Sequence, residues 1–303
     1  LGKQLVFYWG IDPTGPDVHL GHTTNAFVMK KLTELGHKVI LLIGDFTATI
    51  GDPTDKEAAR KPLTEKEVKE NMKTYLDQIS KILPRGSFEV KYNSAWLKNL
   101  KMDKIIDITS QATVQQMVVR DMFQERLKRE KPIGIHEFLY PLMQGYDSVA
   151  MEVDGEVGGH DQIFNMLVGR DLEKKYLGKD KIVLATRLLI DEVTGKKMSK
   201  SEGDIIALSD APSEIRRKIL AVDDKITKTI FELCTDEKQE WIDEQYKKLS
   251  PRELKEFLAD KLVGIYHGDD MVKKSHEPIV GLFVENLAGT IKSFGFSSSI
   301  STA

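Results

Sequence analysis

Leu5-Val6-Phe7-Tyr8-Trp9-Gly10-Ile11-Asp12-Pro13-Thr14 is the stretch from which the fold follows. A short apolar run that ends in glycine and proline is typical of a buried strand, and we predict one over Gln4–Ile11. His19-Leu20-Gly21-His22 comes next, at the start of a segment that we predict as a helix over Gly21–Leu35. Gly36 suits the left-handed position that ends many helices. A strand, a short turn and a helix form the first unit of an alternating α/β fold.

The same alternation continues along the chain. Val39–Ile43 is a continuous apolar run, as expected for a parallel strand that is covered on both faces. We predict further strands at Phe88–Tyr92 and Ile182–Leu189, and helices at Thr64–Leu83, Thr113–Arg129, Leu139–Val149 and Asp161–Arg170. The fold class is therefore predicted as α/β, a doubly wound, Rossmann-like parallel sheet that binds ligands at the carboxyl ends of its strands.

The pattern changes near Leu208. Pro212–Leu287 is predicted to be entirely helical, with amphipathic segments rich in Lys and Glu. We predict an α/β domain over residues 1–208, with a connective helical insertion at about 111–150, followed by an all-helical domain over residues 209–303.

Composition excludes several classes of protein. The 303 residues carry 44 basic and 47 acidic side chains, a net charge of -3, so only a local patch could bind nucleic acid. Cys234 is the only cysteine, which excludes an internal disulfide or a multi-cysteine zinc site and fits a reducing compartment. The sequence contains no signal peptide and no apolar run of about 18 residues. We therefore expect a cytoplasmic protein without a membrane partner.

The string His19-Leu20-Gly21-His22 opens a predicted helix after a turn rich in proline. A helix start offers unpaired N–H groups and a positive dipole end, both of which suit phosphate. The imidazoles of His19 and His22 could donate hydrogen bonds to phosphate oxygens, and Gly21 leaves room for a flat base. On this string alone, a turn with two surface histidines is the more common case. Zinc binding would need a third ligand, and the sequence offers no matching one.

Lys197-Met198-Ser199-Lys200-Ser201 follows the strand predicted at Ile182–Leu189. Its lysines could clamp a leaving pyrophosphate through charge-assisted hydrogen bonds, or the segment could be a solvated basic loop. Neither a GxxxxGKS/T nor a GxGxxG string occurs, so a bound ATP would use neither a P-loop nor a dinucleotide-binding turn.

Tyr140, Gln144 and Asp147 are spaced four and three residues apart, so they share one face of a helix. Leu142, Met143 and Val149 make the surrounding stretch apolar. Two interpretations stay open at this point: the polar face lines a pocket, or it faces solvent.

Together these motifs resemble a known enzyme family. His19–His22 and Lys197–Ser201 are similar to the HIGH and KMSKS strings of class I aminoacyl-tRNA synthetases. Tyr140–Asp147 and Gly158–Gln162 resemble the YxxxQxxD and GGxDQ patterns of the tyrosyl-tRNA synthetases of bacterial type, and Gly51–Thr54 also matches. The resemblance extends to about Asp210 and, more loosely, into the helical part.

The resemblance implies two groups of site residues. Tyr8 and Asp147 would bind the phenol hydroxyl of tyrosine. Its ammonium group would be bound by Tyr140, Gln144 and Asp52, and Gln162 would lie near its carboxylate. The residues implied to stabilise the triphosphate as pyrophosphate leaves are Thr14, His19, His22, Lys197 and Lys200. The remaining residues implied to bind ATP are Gly10, Asp12, Gly21, Gly159, Asp161, Met198, Ser199, Lys56 and Arg60. No residue is implied to hold a metal in a protein cage.

The implied reaction is tyrosine–tRNA ligation. The carboxylate of L-tyrosine attacks the α-phosphate of ATP, pyrophosphate leaves, and the tyrosyl group then passes to the 3′ end of tRNA(Tyr). ATP with Mg²⁺ is the implied substrate, without a tightly bound organic cofactor. The family also implies a homodimer with helices near Gln111–Glu137 at its interface, although the apolar residues there could pack within one chain. The first domain would be catalytic and the helical one would lie on the anticodon side.

The sequence departs from the family pattern in three ways. No helical segment precedes the first strand, His160 occupies the variable position of GGxDQ, and we expect the C-terminal RNA-binding module to be lacking. Three alternatives stay open: a tryptophan–tRNA ligase, a HIGH-type nucleotidyltransferase that charges no tRNA, and a non-catalytic RNA-binding relative. Tyr8 and the YxxxQxxD pattern favour tyrosine over the first, and the intact KMSKS string argues against the other two.

Overall fold

The sheet at the centre of the molecule is parallel throughout. A computed structural model describes residues 2–54, 63–190 and 205–276. Within them, five strands are arranged in the order β3-β2-β1-β4-β5. The strands are β1 (Val6–Ile11), β2 (Lys38–Ile43), β3 (Glu89–Tyr92), β4 (Gly155–Gly159) and β5 (Ile182–Thr186). This order is that of a doubly wound sheet, so the predicted fold class is confirmed.

Helices connect the strands and continue after them. Those of the α/β part are α1 (Leu20–Glu34), α2 (Thr47–Ile50), α3 (Glu65–Asn71), α4 (Tyr75–Ile79), α5 (Ser94–Leu97), α6 (Met102–Thr109), α7 (Val114–Val118), α8 (Asp121–Lys128), α9 (Ile135–Met151) and α10 (Ile163–Leu177). Those of the later part are α11 (Pro212–Ala221), α12 (Asp224–Cys234), α13 (Gln239–Lys248), α14 (Pro251–His267) and α15 (Asp270–Ser275). No helix among the described residues is long and apolar enough to cross a membrane.

One strand was not predicted. β4 contains three glycines and a glutamate, so it lacks the apolar run that indicates a buried strand. Its glycines allow close packing, because a Cβ on Gly155 would lie 2.4 Å from the Phe7 ring. The sheet neighbours on both sides, β1 and β5, stabilise a segment whose own strand propensity is low.

Two predicted helices are interrupted. The segment that begins at Thr64 changes to a 3₁₀ turn at Met72–Thr74, and α4 ends at Ile79 rather than at Leu83. The helix predicted over Thr113–Arg129 divides at Arg120, whose backbone is extended with ψ 136°. The guanidinium carbon of Arg120 lies 4.5 Å from the centre of the Phe164 ring, and this buried contact accompanies the break.

The sheet and the later helices share one hydrophobic core. Phe7 and Leu41 of the sheet belong to the same buried cluster as Ile215 of α11 and Phe231 of α12. The helical part therefore packs against the sheet side of the molecule through α1, which contacts α12. The domain boundary near Leu208 stays a prediction.

A buried carboxylate in α10 makes stability depend on pH. Glu173 has no exposed surface, and neither of its oxygens has a hydrogen-bond partner among the described residues. Burial raises the pKa of Glu173, the ammonium groups of Lys181 and Lys179 oppose this shift, and the carboxylates of Glu156 and Asp154 add to it. The net pKa is about 7 rather than 4.5. The folded chain therefore holds a proton at Glu173 between about pH 4.5 and 7 that the unfolded chain releases, so this group contributes less stability as the pH rises.

We expect Glu173→Gln to stabilise the protein at high pH. The variant keeps the shape of the side chain but cannot ionise, so it avoids a cost of up to about 3 kcal/mol above pH 7. Urea unfolding at several pH values measures the difference between variant and parent. That difference should be near zero at pH 4.5 and should grow in favour of the variant up to pH 8. A difference that does not change with pH would contradict the assignment.

Candidate active site

A cavity of about 200 Å³ opens at the carboxyl ends of β1 and β4. Strand order reverses here, because β2 lies on one side of β1 and β4 on the other, so the crossover connections leave in opposite directions. Fourteen of the predicted site residues line this cavity: Tyr8, Gly10, Asp12, Thr14, His19, Gly21, His22, Asp52, Tyr140, Gln144, Asp147, Gly159, Asp161 and Gln162. The other predicted residues lie outside the described part of the chain: Lys56, Arg60, Lys197, Met198, Ser199 and Lys200.

The two histidines cap the helix on which they lie. The Nδ1 atom of His19 accepts from the backbone N–H of Gly21 at 3.2 Å, and Nδ1 of His22 accepts from the N–H of His19 at 3.2 Å. The rings stack with their centres 3.8 Å apart. Because Nδ1 accepts in both rings, each neutral imidazole carries its proton on Nε2 and can act there as a hydrogen-bond donor.

The segment after residue 204 returns to the same turn. The N–H of Leu20 donates to the carbonyl of Ile206 at 2.8 Å, and the N–H of Leu208 donates to the carbonyl of Val18 at 2.9 Å. On the other side of residues 191–204, Leu188 lines the cavity. The described residues that precede residues 191–204 therefore reach the cavity, and those that follow reach the histidine turn.

Asp12 connects β1 to two helices. Its Oδ2 atom accepts from the hydroxyl of Tyr140 at 2.9 Å, and its Oδ1 atom accepts from the hydroxyl of Thr47 at 2.7 Å. A Cβ on Gly44 would lie 1.9 Å from Asp12 Oδ1, so only glycine fits at that position. The carboxylate thereby holds α2 and α9 at the mouth of the strand.

One end of the cavity carries a phenol and a carboxyl group. The hydroxyl of Tyr8 lies 2.9 Å from Ser148 Oγ, and Asp147 accepts from Trp96 Nε1 at 2.7 Å and from Asn93 Nδ2 at 3.2 Å. Burial raises the pKa of Tyr8 well above its usual value, so the phenol is neutral. Burial also raises the pKa of Asp147, and the hydrogen bonds from Trp96 and Asn93 oppose this shift. A donor and an acceptor that line one cavity suit a ligand hydroxyl.

Hydrogen bonds between side-chain amides connect several residues that line the cavity. Asn165 Nδ2 donates to Gln144 Oε1 at 3.0 Å and to Gln162 Oε1 at 2.9 Å. Gln162 Nε2 in turn donates to Asp52 Oδ2 at 2.7 Å. Each amide thus has a fixed orientation, and the carboxylate of Asp52 is held where it could attract a cationic group.

Several cavity residues were missed by sequence reasoning. Glu156 and Asn93 line the cavity, and Asn165 orients two of its predicted residues. Glu156 lies on the unpredicted strand β4, and Asn93 comes directly after β3, where a polar residue at the carboxyl end of a strand was a usable signal. Asn165 is one polar residue inside a helix, and nothing in its spacing distinguishes it.

The described residues contain no group of three or more His, Cys, Asp or Glu side chains placed to hold a metal ion. The polar groups that surround the cavity are hydroxyls, amides, imidazoles and separated carboxylates. This set suits an organic ligand with polar and anionic groups better than it suits a bare cation.

Comparison with known proteins identifies the family. The chain matches the family described as tRNA synthetases class I (W and Y) over residues 2–284. It is 42% identical over 290 residues to tyrosine–tRNA ligase 2 of Vibrio parahaemolyticus, covering 94% of this chain and 73% of the relative. It is 43% identical to the tyrosine–tRNA ligase of Carboxydothermus hydrogenoformans, covering 94% of this chain and 70% of that protein.

A solved structure shares the fold. A C-terminally truncated mitochondrial tyrosyl-tRNA synthetase of Aspergillus nidulans superimposes with a TM-score of 0.73 at 22% identity, over 94% of this chain and 86% of that one. The chain therefore belongs to the class I tRNA synthetases of the tryptophan and tyrosine family.

Proposed function

We propose that this chain is a tyrosine–tRNA ligase. It activates L-tyrosine with ATP to form tyrosyl-adenylate and pyrophosphate, and it then transfers the tyrosyl group to the 3′ end of tRNA(Tyr). The observation that carries the proposal is that Tyr8 and Asp147, whose groups interact electrostatically, line the same cavity as the helix start at His19 and His22. The relatives at 42% and 43% identity, which are tyrosine–tRNA ligases, support the same substrate.

The amino-acid end of the cavity fits tyrosine. Tyr8 and Asp147 would donate to and accept from the phenol hydroxyl, while an indole offers only a donor N–H. Asp52, Tyr140 and Gln144 would bind the ammonium group, and Gln162 would lie near the carboxylate. The hydrogen bonds that Asp52 accepts from Gln162 and that Tyr140 donates to Asp12 fix these groups before the substrate arrives.

The histidine turn fits the phosphates of ATP. The Nε2 protons of His19 and His22 would stabilise charge that develops as pyrophosphate leaves, together with Thr14. Gly10, Asp12, Gly21, Gly159 and Asp161 would surround the nucleoside. We include Lys197, Met198, Ser199 and Lys200, because the described residues before their segment line the cavity and those after it bond to this turn. Lys56 and Arg60 complete the proposed set by resemblance alone.

Catalysis needs no covalent enzyme intermediate. The tyrosine carboxylate is the nucleophile, and the enzyme supplies position and charge stabilisation. Mg²⁺ would enter with ATP, held mainly by phosphate oxygens, since the described carboxylates form no cage. We place this reaction in the cytoplasm.

We also propose a homodimer. Met117, Met122 and Phe123 are buried within the chain, so they are not available to a partner. Val119 and Ile135, by contrast, are 66% and 82% exposed on neighbouring segments. A second copy of the chain would cover them, and light scattering would give twice the monomer mass.

The first experiment is tyrosine-dependent exchange of labelled pyrophosphate into ATP without tRNA. We expect exchange with tyrosine and much less with tryptophan or phenylalanine. Exchange with tryptophan alone would overturn the tyrosine assignment and leave the family unchanged. Charging of tRNA(Tyr) then separates the ligase from a nucleotidyltransferase of the same fold, which would adenylylate without charging.

Tyr8→Phe and Asp147→Asn should each reduce selectivity for tyrosine over phenylalanine. Each substitution removes one hydrogen-bonding partner of the substrate hydroxyl, which corresponds to about tenfold or more in relative kcat/KM. Exchange kinetics with both amino acids measure the ratio. Unchanged selectivity in both variants would show that the hydroxyl binds elsewhere.

His19→Asn should separate the structural role of this histidine from its chemical role. Asparagine is a good helix cap, so the midpoint of thermal unfolding should change little. Pyrophosphate exchange should fall by about 10²-fold, because one donor to the transition state is lost. Thr113→Asn, at the cap of α7, is the matched control and should leave exchange unchanged. Full exchange activity in His19→Asn would contradict the proposed role.

A further inference from the structure

A buried ammonium group lies beneath the amino-acid end of the cavity. The side chain of Lys181 has no exposed surface, and its Nζ atom forms an ion pair with the Glu156 carboxylate. The same Nζ donates to Ser148 Oγ at 2.7 Å. Ser148 is also fully buried, and its Oγ lies 2.9 Å from the hydroxyl of Tyr8. None of the roles assigned above involves Lys181.

We propose that Lys181 is a positioning residue that sets the hydrogen-bond direction of the Tyr8 hydroxyl, so that this hydroxyl donates into the cavity. The proposal rests on the proposed function, because it needs a substrate hydroxyl as the acceptor. It goes beyond that function by assigning part of the selectivity to a side chain that does not line the cavity.

The argument starts from the donors available. A lysine ammonium group can only donate, so Ser148 Oγ accepts from it. A hydroxyl that accepts from a cation becomes a stronger donor, because hydrogen bonds in a chain polarise one another. Ser148 therefore donates to the Tyr8 oxygen across the 2.9 Å contact. The Tyr8 proton is then directed away from Ser148.

Glu156 is the competing acceptor. It pairs with Tyr8 in the β1–β4 register, and its carboxylate raises the pKa of the Tyr8 hydroxyl both by its charge and by a hydrogen bond that it accepts from this hydroxyl. Lys181 neutralises this carboxylate, and Gln144 Nε2 donates to its other oxygen at 3.0 Å. Lys181 thus binds both groups, Ser148 and Glu156, that compete with the cavity for the proton of Tyr8, and it weakens each of them as an acceptor.

The surroundings are built to admit the ammonium group. A Cβ on Gly169 of α10 would lie 2.3 Å from Lys181 Nζ and 3.0 Å from Ser148 Oγ, so glycine leaves the space that the pair occupies. A buried ion pair is often no more stabilising than an apolar pair of the same volume. Stability therefore explains the presence of this ion pair poorly, whereas the orientation of the Tyr8 hydroxyl explains it.

The test is a double-mutant cycle on selectivity. Exchange kinetics with tyrosine and phenylalanine are measured for the parent, Lys181→Met, Tyr8→Phe and the double variant. Lys181→Met should lower kcat/KM for tyrosine by about tenfold and change it less than threefold for phenylalanine. In the Tyr8→Phe background, Lys181→Met should not lower selectivity further, because the hydroxyl through which it acts is gone. If Lys181 had only a structural role, its loss would lower kcat/KM equally for tyrosine and phenylalanine in both backgrounds. That result would overturn the proposal.

Ser148→Ala gives a second test that does not leave a buried charge unpaired. If Ser148 donates to Tyr8, its loss lowers selectivity for tyrosine. If Tyr8 instead donates to Ser148, its loss frees the Tyr8 proton, so selectivity stays the same or rises and the proposal fails.

Lys179→Met is the matched control. Lys179 lies two residues away and donates to the carbonyls of Glu152 and Val153, so the control variant should keep the parent's selectivity. A parent without tyrosine-dependent exchange would overturn the proposed function and this inference with it. A tyrosine-selective parent whose selectivity survives both Lys181→Met and Ser148→Ala would overturn the inference alone.

Discussion

The change in the direction of strand order beside β1 is the constraint on which the rest of the site depends. β1 lies at the centre of the sheet, and its neighbours β2 and β4 continue the chain in opposite directions. The crevice between their carboxyl ends is therefore left open by the topology itself. Tyr8, Asp12 and the turn before α1 reach it because they lie on or directly after β1, while α9 is held against it by the hydroxyl of Tyr140 on Asp12.

The polar groups around this crevice are ordered before any ligand binds. Asp12, Asp147 and Asp52 each accept hydrogen bonds from neighbouring side chains. In a buried setting an unpaired carboxylate is costly, so these partners both stabilise the fold and fix the acceptor directions. Order of this kind lowers the entropy cost of binding a small, polar substrate.

Much of this arrangement was predictable from the sequence, for identifiable reasons. β1 and β2 are apolar runs bounded by turn residues, and the residues at their ends meet because parallel strands end at one edge. The spacing of Tyr140, Gln144 and Asp147 predicted a shared face, and all three residues line the cavity. The same spacing could not decide whether this polar face lines a pocket or faces solvent, because periodicity alone does not say what covers a helix.

The rest could not be predicted because it depends on contacts between distant segments. β4 is rich in glycine, and its strand form follows from its neighbours rather than from its own propensity. Lys181 and Glu156 are 25 residues apart, and their pairing follows from the adjacency of β4 and β5. Asn165 has no distinguishing spacing. The predicted boundary near Leu208 rests on a change of sequence pattern, and the hydrophobic core includes residues from both sides of that position.

The histidine cap at the start of α1 has a consequence for how tightly an anion can be held there. Each Nδ1 is committed to a backbone N–H, a role that lysine or arginine cannot take, because neither side chain accepts a hydrogen bond. A permanent cation is thus excluded from these two positions by the architecture of the turn. A neutral N–H donor binds an anion less tightly than a fixed positive charge does. The same geometry that begins the helix would therefore let an anion leave this turn more easily than it would leave a lysine or an arginine.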